Sequence, residues 1–523
     1  MILVVAAGAF LFRVPRLDQR PMHCDEAVHT VKAGAVIETG KYIYDPSEYH
    51  GPTIYYFALP FVWLRGAKSL VETDEFTFRI VPVIFGTGLV LLLLFVRDGL
   101  GTWPAVIAAV LTAVSPAMVF YSRYYIQEML LVFFTFGVLA FMWRSIQTEH
   151  FWWAVLAGMC AGLMHATKET CIIAFAAMGG SFVCVYLWAR WRDKFHIDYR
   201  RVFRKRYVAI GVVMAFFISA PLLSGFFRNP RGELDAWLSY ANYLHRAYGA
   251  GIHDHPWHYY LEMLIFTKNA PGPWWSEGLI LALALVGIVV VLLEKPRPDD
   301  PPIGDRKSII QNPKSKIQFR RFIVFYTILL TVAYSIIPYK TPWCMLGFLH
   351  GMILLAGIGA VAIIKRVPTL PVKAIACLLL ALGVYQLGQQ AYRGSFKYYA
   401  DTRNPYVYAH TASDIFKLVR QMGEFSEIHP DGHDMLIKVI TPDYWPLPWY
   451  LRAFNRIGYW HEPIDEPDAP VVITNTDLEE AVAARLKGEY QPEYFGLRPE
   501  VLITVFVEKT LWDAFIERQT AQM

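Results

Sequence analysis

The chain alternates between long apolar runs and short polar punctuation, and the runs are too long and too even to be strands. Apolar segments stand at residues 1–14, 78–97, 104–121, 127–143, 151–168, 170–189, 207–226, 275–293, 322–337, 343–364 and 372–390. Runs of this kind predict about eleven transmembrane helices. The first run, Met1–Val14, is short for a ~30 Å hydrocarbon core at ~1.5 Å per residue. It lacks a basic leader and a small-residue cleavage site, so it reads as a membrane helix rather than a signal peptide. Thr53–Leu64 is shorter still and is expected in the interface, with its Tyr and Trp at headgroup level.

After about residue 391 the pattern changes. A helical pattern at Ala412–Met422 is followed by strand candidates at Met435–Thr441 and Ala469–Asn475. A helix at Asp477–Lys487 and a strand at Val501–Glu508 complete the series. The predicted fold is therefore a polytopic α-helical membrane domain, residues 1–392, with interfacial helices in a first outer loop, 15–77. A small α/β domain, 393–523, would lie outside the membrane.

Lys and Arg set the orientation. Arg190–Arg206 carries eight of them against two acids, and Glu294–Arg321 carries eight more. The positive-inside rule puts both loops in the cytoplasm. Parity then puts Met22–Pro52, Tyr121–Glu128, His165–Glu169, Phe227–Trp274, Pro338–Trp343 and the C-terminal domain on the extracytoplasmic side of the cell membrane.

Composition agrees, with 55% apolar and only 18% charged residues, as in a multi-pass protein. The net charge of +5 is small for 523 residues and gives no ground for nucleic-acid binding. The six cysteines have neither metal-type spacing nor a disulfide pattern.

The unusual polar residues collect on the outer side. In MHCDEAVHTVK, Asp25, His29 and Lys32 share one face of a predicted helix, while Glu26 lies about 100° away. One acid should face a ligand and the other the scaffold. The plain alternative is an acidic helix start that complements the orphan N–H groups. Charges at a membrane boundary are costly, which favours a function. Tyr44 and His50-Gly51-Pro52 follow, the last a rigid turn. YSRYYIQEM offers Arg123 and Glu128, either as a mutual ion pair or with Glu128 as a second acid facing Asp25. HATKET offers His165 and Lys168, the lysine snorkelling or binding an anion. In PYKTPW, Lys340 stands beside Trp343 in a proline-fixed turn, as an interfacial anchor or a phosphate contact. GIHDHPWHYY offers His255 among other histidines, for substrate contact or loop packing. The aromatic segment PDYWPLPWYLR could stack on a sugar or pack on the membrane domain.

Basic residues at a membrane surface, two acids and exposed aromatics suit one chemistry, transfer of a sugar from a lipid-linked phosphate. The motifs RPMHCDEAVHT, GKYIYDPSEYHGP, SPAMVFYSRYYIQEM, ATKE, YKTPW and WPLPWYLR, in this order, resemble the GT-C membrane glycosyltransferases. The resemblance is to the branch with protein O-mannosyltransferases and aminoarabinose transferases, and to the flippase-activity-associated proteins of archaea and bacteria. It implies a polyprenyl-phosphate-sugar donor, transfer on the extracytoplasmic face, and Asp25 as general base. Glu26 matches the second residue of the pair, and Glu128 the acid that opens the fourth span. Arg123, Lys168 and Lys340 match positions suited to the donor phosphate, with His29, Tyr44, His50, His255 and Trp343 as further substrate contacts. Some members need a divalent cation, so magnesium or manganese at Asp25, Glu128 and His255 stays open, and no other cofactor is implied. The acceptor (protein, lipid or glycan) is not named by the sequence. The rival readings are a lipid-linked sugar flippase and a non-catalytic binding protein. A transporter would put polar groups near the bilayer midplane, whereas here they gather at the ends of spans.

Overall fold

The computed structural model describes residues 1–45, 50–194, 197, 204–248, 251, 253–269, 271–296 and 313–521. Much of the first basic loop, most of the second, and Pro46–Tyr49 of the YDPSEYHGP motif lie outside these residues. Among the described residues, seven helices are long and apolar enough to cross a membrane: Glu75–Leu100, Glu128–Thr148, Cys171–Trp191, Lys205–Leu223, Lys314–Ile336, Pro342–Arg366 and Leu370–Lys397. The other four expected spans fall on shorter apolar helices, Ile2–Arg13, Thr102–Val114, Phe151–His165 and Gly278–Leu293. Thr53–Leu64 is also a short apolar helix.

By packing, the chain forms two units. The first comprises residues 1–16, 41–57 and 79–406, and the second 17–40, 58–78 and 407–523. The sequence groups the acidic loop with the membrane helices, whereas its packing groups Leu17–Gly40 with the C-terminal domain. The reason is local. The Met22 N–H donates to the Tyr450 hydroxyl at 2.8 Å, and Thr411 Oγ1 donates to the Met22 carbonyl at 2.6 Å.

In the first unit, helices meet through glycines. Helix Phe151–His165 lays Gly158 and Gly162 against Gly211 and Ala215 of Lys205–Leu223, and a Cβ at either glycine would stand 2.3 Å from a backbone oxygen. Gly287 and Gly359 bring Gly278–Leu293 and Leu346–Arg366 equally close. Small residues allow this backbone approach, which drives packing where no hydrophobic effect operates. Buried charges are spent on helix ends. Arg13, fully buried, donates to the carbonyls of Thr112 (2.9 Å) and Ala113 (3.0 Å), the C-terminus of Thr102–Val114. Glu277, also fully buried, accepts from Ser115 Oγ and the Ala117 N–H at the start of helix Pro116–Tyr121, and from the Tyr406 hydroxyl.

The second unit holds a five-stranded sheet, β1 (Ile437–Ile440), β2 (Ile457–Trp460), β3 (Val471–Asn475), β4 (Tyr490–Arg498) and β5 (Val501–Glu508), in the order β2-β1-β3-β5-β4. The first three strands run parallel, and β5 is antiparallel to β3 and β4. One face packs Ile440, Val472, Val482 and Phe506 with Ala469. Helix Ile415–Ile428 meets the C-terminal helix Lys509–Ala521 through Phe425 and Phe515, ring centroids 5.1 Å apart. The α/β domain is as expected, but β2 and β4 were not foreseen. β2 has only four residues, and β4 carries Pro492, which confines it to the sheet edge where it is found.

The glycine contacts lead to the first prediction. Gly162→Leu is expected to separate the helix pair and lower the melting temperature of the detergent-solubilised protein. The same change at Gly8, where an added Cβ would meet nothing within 4 Å, should leave it near wild type.

Candidate active site

The acid pair opens helix Cys24–Thr39, and the two carboxylates have separate fates. His23 is the N-cap: its Nδ1 accepts from the Asp25 N–H at 3.0 Å, and Glu26 Oε2 accepts from the His23 N–H at 3.1 Å. Nδ1 can accept only while unprotonated, and burial, the largest influence, holds the His23 imidazole below its ordinary value. His23 Nε2 lies 3.0 Å from the Tyr408 carbonyl. Glu26 is fully buried and meets the Arg20 guanidinium fork at 2.9 Å on each oxygen. Both of its oxygens are engaged in these contacts, and the sequence put it in the catalytic set. The Asp25 side chain, by contrast, is 47% exposed. On the same helix His29 is buried and Lys32 half-buried.

Cys24 adjoins a second charged group. Arg498 Nη1 reaches its sulfur at 3.1 Å and Nη2 pairs with Asp443, while Cys24 Sγ donates to the Trp445 carbonyl at 3.5 Å. The β4–β5 ladder shifts register between Gly496 and Arg498, and such an irregularity re-aims a strand side chain. Neither Arg498 nor Arg20 was singled out from the sequence.

The remaining candidates belong to the first unit. Glu128 opens helix Glu128–Thr148 and is ion-paired to Lys168, both buried. Arg123, a partner for Glu128 in one of the two readings of the sequence, turns elsewhere. Its guanidinium donates to the carbonyls of Arg13, Pro15 (2.7 Å) and Arg16 (2.9 Å) and lies 4.4 Å from the Phe396 ring centroid. The backbone between helices Pro116–Tyr121 and Glu128–Thr148 is non-helical and aims the two side chains apart. The Glu128–Lys168 pair lines a small cleft whose walls include Leu131, Val132, Tyr334, Trp343 and Cys344. It is apolar along its walls and carries one buried ion pair.

Lys168 is held by its turn. Gly51 approaches Ala166 so closely that a Cβ there would lie 2.1 Å from the Ala166 carbonyl oxygen. Thr53 Oγ1 and Thr167 Oγ1 are hydrogen-bonded at 2.8 Å. Glu169 completes the joint, meeting His50 Nδ1 at 2.7 Å and accepting from the Tyr44 hydroxyl at 2.8 Å. Burial alone would raise the Glu169 carboxyl, but His50, a backbone N–H and Tyr44 outweigh it and hold the group at about 2. Thus Tyr44 and His50 brace the Lys168 turn. Glu169 stands in the ATKE motif but was passed over for its neighbour.

Lys340 is 1% exposed, and its ammonium donates to the carbonyls of His255 (2.9 Å) and Ile337, just beyond helix Pro313–Ile336. It fastens two loops through carbonyl oxygens. His255 is half-buried and stacks on Tyr259 at 4.1 Å between centroids. Burial, then Lys340 and His253, keeps its imidazole below its ordinary value. Among the described residues, no three His, Cys, Asp or Glu side chains gather into a metal-binding group.

Residues 51–229 match the family described as dolichyl-phosphate-mannose-protein mannosyltransferase. Over the whole chain the structure resembles ArnT from Cupriavidus metallidurans bound to undecaprenyl phosphate, with a TM-score of 0.65, 14% identity, and 96% of this chain and 97% of that one covered. The fold is that of a GT-C glycosyltransferase. An Archaeoglobus fulgidus oligosaccharyltransferase tethered to an acceptor peptide gives a TM-score of 0.56 at 13% identity over 95% of this chain and 73% of that one. The same organism's AglB, in complex with an inhibitory peptide and a dolichol-phosphate, gives 0.56 at 12% identity over 94% and 72%. A search among curated proteins finds none that matches. The chain thus shares its fold with these membrane proteins, and its residues 51–229 carry the likeness to the mannosyltransferase family.

The depressed Glu169 carboxyl sets a pH dependence. Its stabilisation is full above its ordinary value of 4.5 and fades as pH falls toward about 2. Glu169→Gln should therefore lower thermal stability most above pH 4.5 and converge with wild type in stronger acid, as checked by melting curves across pH.

Proposed function

We propose that the protein transfers a sugar from a polyprenyl-phosphate donor to an acceptor hydroxyl on the extracytoplasmic face of the membrane, with inversion at the anomeric carbon. The observation that carries this reading is the division of the acid pair. Glu26 is fully buried on Arg20 and the His23 N–H, while Asp25, its neighbour, is half exposed at the start of a capped helix. A base must be held rigidly yet reach its substrate, and Asp25 has that standing.

The cleft supports the donor half. Its apolar walls suit a prenyl chain, and Lys168 can meet a phosphate. An ammonium with three N–H donors can bridge a carboxylate and a phosphate oxygen, so Glu128 would keep Lys168 in place for the lipid phosphate. In the reaction Asp25 takes the acceptor hydroxyl proton as its oxygen attacks C1 from the face opposite the phosphate. The C1–O bond breaks, and polyprenyl phosphate leaves with the added negative charge. Arg123 and Lys340 are occupied with carbonyls and contribute through the frame. The bound lipids of the similar structures, undecaprenyl phosphate and a dolichol-phosphate, support a lipid-phosphate donor here.

Turnover of a panel of polyprenyl-phosphate sugars by the purified protein tests this reading. Asp25→Asn should cut transfer by about 10²-fold or more, the usual share of a general base, while polyprenyl phosphate still binds. Wild-type rates in Asp25→Asn would remove Asp25 from its role.

A further inference from the structure

The aromatic segment PDYWPLPWYLR divides in two. Trp449 is fully buried. Its indole N–H donates to Glu75 at 3.0 Å, and the Arg452 guanidinium lies 3.7 Å from its ring centroid. Tyr450 is buried beneath the Met22 N–H. These two build the second unit. Tyr444 and Trp445 do not follow them inward and remain half-buried. The Tyr444 ring lies 5.6 Å from Trp445, 5.0 Å from Tyr459 and 5.8 Å from His461, centroid to centroid. Tyr459 belongs to the edge strand β2, and His461 just beyond it is exposed. Four rings thus share one open surface. At its border lies Asp443, its side chain 41% exposed and paired to Arg498. Arg498 and the Trp445 carbonyl both touch Cys24, the residue before Asp25.

We propose that this surface is a saccharide-binding site and that the acceptor is a glycan. The assignment to the acceptor rests on the glycosyltransferase reading above. The chemistry is that of a sugar ring. Its C–H face stacks on an aromatic face without needing a hydrogen bond, so a set of half-buried rings gives it a platform. Its hydroxyls both donate and accept, and a carboxylate beside a guanidinium offers one acceptor group and a fork of donors within a few ångströms. A peptide acceptor would use a different feature, the free edge of β2, by adding a strand to it. That edge is four residues long, too short to hold an extended segment firmly. The platform also neighbours the general base through Cys24, which is where an acceptor hydroxyl has to arrive.

The test is titration of the full-length protein in detergent with a panel of neutral oligosaccharides, without donor, by calorimetry. Binding to wild type is expected, weakened about tenfold or more by Tyr444→Ala and by Tyr459→Ala. Trp152→Ala, at an exposed ring of the first unit, should bind as wild type, and melting curves check that each variant is folded. No oligosaccharide binding, or equal binding by the Tyr444 and Tyr459 variants, overturns the proposal. Transfer assays separate it from the function on which it rests. Turnover onto peptide or lipid acceptors with no saccharide binding sinks the platform and leaves the glycosyltransferase. Saccharide binding lost in both tyrosine variants, with no turnover onto any acceptor, keeps the platform as a binding site and sinks the transfer reaction.

Discussion

A charge carried away from water must be matched, and that requirement organises this protein. An unpaired buried ion costs several kcal/mol, and the chain answers each such charge with an opposite charge or with a helix end. Arg13 and Lys340 close on carbonyl oxygens, and Glu277 on hydroxyls and an N–H at a helix start. Glu26 closes on Arg20, and Glu128 on Lys168. The matched charges build the frame. Against it Asp25 stands out as an acid kept half in solvent by a helix whose start is tightly capped.

The two units carry different features. The first supplies an apolar cleft with one ion pair at its wall, and a turn braced by Tyr44, His50 and Glu169 that fixes the lysine of that pair. The second supplies the proposed base, the Arg498–Asp443 pair and the aromatic surface beside it. The acidic loop packs with a domain that begins more than 350 residues later.

The sequence showed the membrane fold because apolar runs are a local signal. It also showed that Asp25 and Glu26 must differ, since adjacent helical positions point about 100° apart. It could not show which acid would be buried, because Arg20 and the His23 N–H decide that through the cap. Arg123 and Glu128 looked like partners by nearness along the chain, but a non-helical turn separates them, and Lys168, 40 residues on, takes the glutamate. Lys340 read as a phosphate contact because a lone lysine in a rigid turn resembles one. Only the fold reveals the carbonyls around it. β2 and β4 were missed where Gly and Pro mask an edge strand.

The most direct test of this account is to locate the lipid phosphate. A photoreactive polyprenyl phosphate, crosslinked in nanodiscs and mapped by peptide mass spectrometry, reports its position without turnover. The account predicts labelling of cleft residues such as Leu131, Val132 and Leu330, displaced by unlabelled polyprenyl phosphate and weakened by Lys168→Met. Saturable labelling elsewhere in the first unit, indifferent to Lys168→Met, would contradict it.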